Sequence, residues 1–205
     1  MIDDKSLKKA FVYAAKHGGA GVWINGESGK VHFWSEVWAA ATDARNMRDH
    51  LRESMAAIVE MLGYLPNKPV KIVKGKGEWL EEPILPEVAE AELTVFEGDD
   101  GTEVFRLPLH WRGASLWQDD EGRLYGCRDT APYCLCKARC ININGRLAAV
   151  DEDAGEGVYA TAFTVASRTD DERREMEFLQ GYRWGDWAKP AAAMEQMEME
   201  EDEDE

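Results

Sequence analysis

Between residues 91 and 168 the chain is cut into short runs of alternating apolar and polar residues by clusters of Gly, Asp and Asn. No other feature restricts the fold as strongly, because such runs form strands and such clusters form the tight turns that join them. Strands are expected over residues 92–96, 103–111, 114–118 and 123–127, with breaks at Gly98-Asp99-Asp100-Gly101, Arg112-Gly113 and Asp119-Asp120-Glu121-Gly122. The pattern continues over residues 134–143, 146–150 and 158–168, broken at Asn144-Gly145 and over residues 151–157. Five to seven antiparallel strands follow, arranged as a sandwich or small barrel.

The first 82 residues read differently. Leu7, Phe11 and Ala14 or Ala15 recur at helical spacing before the stop signal Gly18, which predicts a short first helix. Residues 21–25 and 30–34 form a predicted hairpin. Its turn contains Gly26-Glu27-Ser28-Gly29-Lys30, a string resembling part of a phosphate-binding loop. Ile24 stands where the first glycine of such a loop belongs, and Val31 stands where its hydroxyl residue belongs, so the spacing excludes nucleotide binding there. Ser35 is expected to cap one long helix running through Val37, Ala41, Ala44, Met47, Leu51, Met55, Ile58 and Leu62, closed by Gly63 and Pro66. Lys68, Lys71, Lys74 and Lys76 alternate with Val70, Ile72 and Val73, as in an edge strand that lysines protect from aggregation.

The predicted class is α+β. An N-terminal helix, hairpin and long helix (1–82) pack with a β-rich half (83–189), in which Thr169 caps a closing helix bearing Met176 and Leu179. Residues 190–205 form an acidic tail of low complexity that is expected to be disordered. Eight tryptophans and 44% hydrophobic residues are enough for a packed core. The N-terminus lacks the apolar run of an export signal and no stretch reaches the roughly 18 apolar residues of a membrane span, so a soluble cytoplasmic protein is expected.

Formal charge is −16 and graded: residues 1–82 carry +1, residues 83–168 carry −7 and residues 169–205 carry −10. Such a surface disfavours direct contact with a phosphate backbone and attracts basic proteins. Candidate partner-binding residues are the acid-rich turn Asp119, Asp120 and Glu121 and the aromatic cluster Tyr182, Arg183, Trp184 and Trp187, since Trp, Tyr and Arg dominate binding hot spots. The long helix and surplus tryptophans are also compatible with a homodimer.

Cys127, Cys134, Cys136 and Cys140 are all the cysteines of the chain. Four thiolates suit a structural zinc ion, but on one continuous strand the last three would span about 20 Å, so the site requires a tight turn. Reduced thiols are the simpler reading in a cytoplasmic protein. A thiol nucleophile needs a base, for which His110 on a predicted strand is the best placed of four histidines. Motifs of metalloproteases, dinucleotide sites and nucleophile elbows are absent. The expected function is therefore a non-enzymatic module that binds a basic partner, including the case of an inhibitor occupying a nucleic-acid-binding surface. The alternatives are a single-strand nucleic-acid-binding barrel with an acidic recruitment tail, and an enzyme with a metal or thiol centre at the cysteines.

Overall fold

The computed structural model describes residues 2–75, 78–83, 101–128, 139–143, 146–151, 155–164 and 169–181. Helix α1 (Asp4–Lys16) starts where the Asp3 carboxylate accepts the Ser6 amide at 2.8 Å. It buries Leu7, Ala10, Phe11 and Ala15 and ends at His17. Strands β1 (Ala20–Asn25) and β2 (Lys30–Trp34) pair as the expected hairpin, with Val22 opposite Phe33. The Gly-Glu-Ser-Gly segment is a turn: Asn25 Oδ1 accepts the amides of Glu27 at 2.9 Å and Ser28 at 3.2 Å, and Gly29 takes φ 67°.

The single long helix expected over residues 35–62 is not formed. Its first third is strand β3 (Trp38–Asp43), paired with β2, and the remainder is two helices, α2 (Ala44–His50) and α3 (Arg52–Leu62). Every position of β3 from Trp38 to Thr42 is buried. A strand covered on both faces loses its alternation, so its alanines pass for helix formers. Strands β4 (Val70–Lys74) and β5 (Trp79–Pro83) follow. β4 lies between β1 and β5 and is not an edge strand: Lys71 packs its methylenes beside Gly19, while Lys74 sits 5.5 Å from the Trp79 ring.

The second half supplies β6 (Thr102–Trp111), β7 (Ala114–Asp119), β8 (Leu124–Arg128), β9 (Arg139–Ile143), β10 (Arg146–Asp151), β11 (Glu156–Thr164) and α4 (Asp170–Gly181). The six strands among the described residues are within the expected number, and the α+β class holds. The run expected at 92–96 lies outside the described residues. All pairings are antiparallel, in the order β10-β9-β6-β7-β8-β11-β3-β2-β1-β4-β5, and β10 also pairs with β11. The ladder of β6 to β11 thus returns on itself as a six-stranded ring among the described residues. β11 divides its second edge, giving Gly157–Ala160 to β3 and Ala162–Thr164 to β8.

One face of this continuous ladder carries Val22, Phe33, Ala40, Val158 and Ala149 in cross-strand succession. They join Leu7 and Phe11 of α1, Ile58 of α3, and Val104, Trp117, Tyr125 and Leu147 in one apolar cluster. Phe11 meets Phe33 edge to face at 6.1 Å. A smaller cluster of Leu107, Leu116, Leu124 and Met176 seats α4 on the other side of β6–β8. Thr169 caps α4 as expected, accepting the Glu172 amide at 3.2 Å.

Candidate functional site

Helix α1 gathers positive charge on its exposed face. Lys5, Lys9, Tyr13 and His17 fall on one i, i+4 row, and Lys8, Val12 and Lys16 on the row beside it. The burial of Leu7, Phe11 and Ala15 against the sheet forces these two rows outward. Lys5, Lys9, Tyr13, Lys16 and His17 are exposed, and with Lys8, Val12 and Glu53 they line an open groove of about 490 Å³. Within it, Glu53 is 3.5 Å from Lys8 Nζ. Tyr13 and His17 stack with ring centroids 4.3 Å apart and planes 32° from parallel.

Beyond this ring pair the groove meets a second, smaller cavity of about 210 Å³, which Tyr13 and His17 also line. The Ser35–Trp38 turn, Ala14 and Arg128 at the end of β8 also line it. The glycine pair after α1 makes this approach possible. Gly18 (φ 150°) brings the backbone against the Glu36 carboxylate, whose Oε1 lies 3.7 Å from where a Cβ would stand. At Gly19 (φ 110°) a Cβ would overlap the Lys71 side chain. The turn opposite is held by the Ser35 hydroxyl, which accepts the Val37 amide at 3.2 Å.

The sequence-derived candidates lie elsewhere. The Asp119 carboxylate points inward: it accepts the Arg123 amide at 2.8 Å, Arg123 Nε at 2.6 Å, the Glu121 amide at 3.1 Å and the Tyr125 hydroxyl at 2.9 Å. Burial pushes its carboxyl up, but the hydrogen bonds from Arg123 and Tyr125 outweigh that and hold it below the usual range. Asp120 and Glu121 are exposed in the same turn, with Glu121 3.2 Å from Arg123. Tyr182, Arg183, Trp184 and Trp187 lie outside the described residues, as do Cys134 and Cys136.

Cys127 is buried on β8, while Cys140 belongs to β9, on the far side of β6 and β7 in the ring. His110, Ser115 and Cys127 form a cross-strand row on β6, β7 and β8. His110 Nε2 is 3.4 Å from Ser115 Oγ, and Cys127 stands one strand further along the row. The α1 groove was missed in the sequence, although the i, i+4 recurrence of Lys5, Lys9, Tyr13 and His17 was a readable signal.

No family model matches the chain, and no curated protein matches it. Among solved structures, one assigned as a DNA polymerase III beta subunit from Eubacterium rectale aligns with a TM-score of 0.28 and 8% identity, covering 83% of this chain and 66% of that one. A likeness that slight establishes neither fold nor activity for this chain.

Proposed function

We propose that this protein is a non-enzymatic binding module whose α1 face takes the phosphate backbone of a nucleic acid. One observation carries the reading: Lys5, Lys8, Lys9 and Lys16 share a single exposed helix face, against Asp4 as the one acid of α1, in a chain of charge −16. Like charges one turn apart cost a helix about 0.2–0.5 kcal/mol per pair, and phosphates lying in the groove would relieve that repulsion. The stacked Tyr13–His17 pair at the groove's end offers a π face to a base. The acidic surface elsewhere confines a polyanion to this face and limits non-specific sliding over the molecule.

The test is fluorescence anisotropy with a labelled oligonucleotide across a salt series. Binding should weaken linearly with the logarithm of salt concentration, and each of Lys5→Ala and Lys9→Ala should lower the slope by about one. Salt-independent binding, or slopes unaltered by these substitutions, would contradict the reading.

A second reading has its own support. Asp120 and Glu121 are exposed at the β7–β8 turn, with Glu121 beside Arg123, and an acid-rich turn of this kind would draw a basic protein partner in the way the graded acidity suggests. Capture of a basic protein that Asp120→Asn and Glu121→Gln abolish would favour it. A structural zinc ion at Cys127, Cys134, Cys136 and Cys140 is a separate proposal that metal analysis of the purified protein decides.

A further inference from the structure

The cavity beyond the Tyr13–His17 pair differs chemically from the lysine groove it adjoins. A phosphate track needs donors, whereas this cavity adds the acceptor-only carboxylate of Glu36 and the Ser35 hydroxyl to a single cationic side chain, Arg128. At about 210 Å³ the cavity is smaller than the roughly 300 Å³ at which drug-sized pockets begin, so it suits a single ring system. Ala14 and Trp38 belong to the apolar part of a lining that is otherwise polar, and the stacked rings form one side.

We infer that this cavity receives one unpaired base of the bound strand, and that the carboxylate of Glu36 selects guanine. The inference rests on the phosphate-track reading of α1. Its chemistry is a match of edges. Guanine presents two adjacent donors, N1–H and N2–H, to which the two oxygens of one carboxylate can pair. Thymine offers one imide N–H between two carbonyl oxygens, which a carboxylate repels. Cytosine and adenine each bring an amino donor flanked by a ring-nitrogen acceptor. The base stacks on the aromatic pair, as unpaired bases stack on exposed rings, while Arg128 in the lining neutralises the adjoining phosphate. A paired base hides this edge in its Watson–Crick partner, so the inference specifies a single-stranded ligand.

The experiment compares two labelled heptanucleotides by anisotropy, one of thymidines alone and one with a central dG, against the full chain and against Glu36→Gln. Glu36 is exposed in a turn, and an unchanged melting temperature confirms that the variant folds. The expected result is about tenfold tighter binding of the dG strand, reduced to within about twofold by Glu36→Gln, as for loss of a bidentate base contact. Equal binding of the two strands, still weakened by Lys9→Ala, would overturn the base pocket and leave the phosphate track standing. Failure of both strands to bind would overturn both readings.

Discussion

At the β7–β8 turn one carboxylate, that of Asp119, gathers two amides, a guanidinium and a phenol hydroxyl while its side chain is fully covered. Removing it leaves the Tyr125 hydroxyl and the turn amides without their acceptor, so Asp119→Ala should cost about 3 kcal/mol in a urea melt at neutral pH. Because its folded pKa lies below the ordinary carboxylate value, the contribution is complete above that value and disappears as pH falls through the folded one. The gap between the wild-type and Asp119→Ala melts should therefore narrow at strongly acidic pH. His32 acts in a higher window. Burial, and then the charge of Lys30, push its pKa from 6.5 down to about 4, and Nδ1 finds no partner among the described residues. The unfolded chain takes up this proton first as pH falls, so stability should decline between pH 6.5 and about 4, and His32→Phe should flatten that slope. In sequence, Asp119 looks like any solvated turn acid and His32 like any strand histidine. Burial sets them apart, and neither position announces it: the donors to Asp119 stand two, four and six residues along the same hairpin, while the His32 ring is covered on β2.

The elements of the second half were legible because each strand is bounded by its own turn residues. Gly113 and Gly122 adopt the positive φ that their breaks implied, 74° and 83°. The stretch from Trp38 to Leu62 was not legible as drawn: three consecutive buried alanines in β3 carry no alternation, and the chain turns again at Leu51 without a Gly or Pro to announce it. The smaller cavity was invisible for another reason, since Glu36 and Arg128 come from turns and strands far apart in the chain. The hairpin depends on a close approach that can be tested. A Cβ on Gly21 would fall 1.9 Å from Cε2 of Trp34, so Gly21→Ala should destabilise by about 1–3 kcal/mol as the indole is displaced. At α1 stability and binding are separable. Lys5→Ala with Lys9→Ala should leave the melting temperature unchanged or slightly raised, because a repulsive i, i+4 pair is lost, while oligonucleotide affinity falls.

Across the whole molecule, β11 joins the six-stranded ring to β3, and the main cluster takes residues from both halves. Glu156 adds polar ties, accepting the Ile2 amide at 2.5 Å and the Thr42 hydroxyl at 3.4 Å. Phe11→Ala in α1 and Leu147→Ala in β10 should therefore lower one and the same thermal transition, each by about 2–5 kcal/mol, and two separate transitions would contradict a shared core. The charge pattern is also a property of the whole molecule: a net-acidic chain sets four of its lysines, Lys5, Lys8, Lys9 and Lys16, on one helix face. Lysine acetylation read by mass spectrometry, with and without a saturating oligonucleotide, tests that claim most directly. The account predicts protection of Lys5, Lys8, Lys9 and Lys16, with Lys68, Lys71 and Lys74 unchanged. Uniform protection, or none on α1, would contradict it.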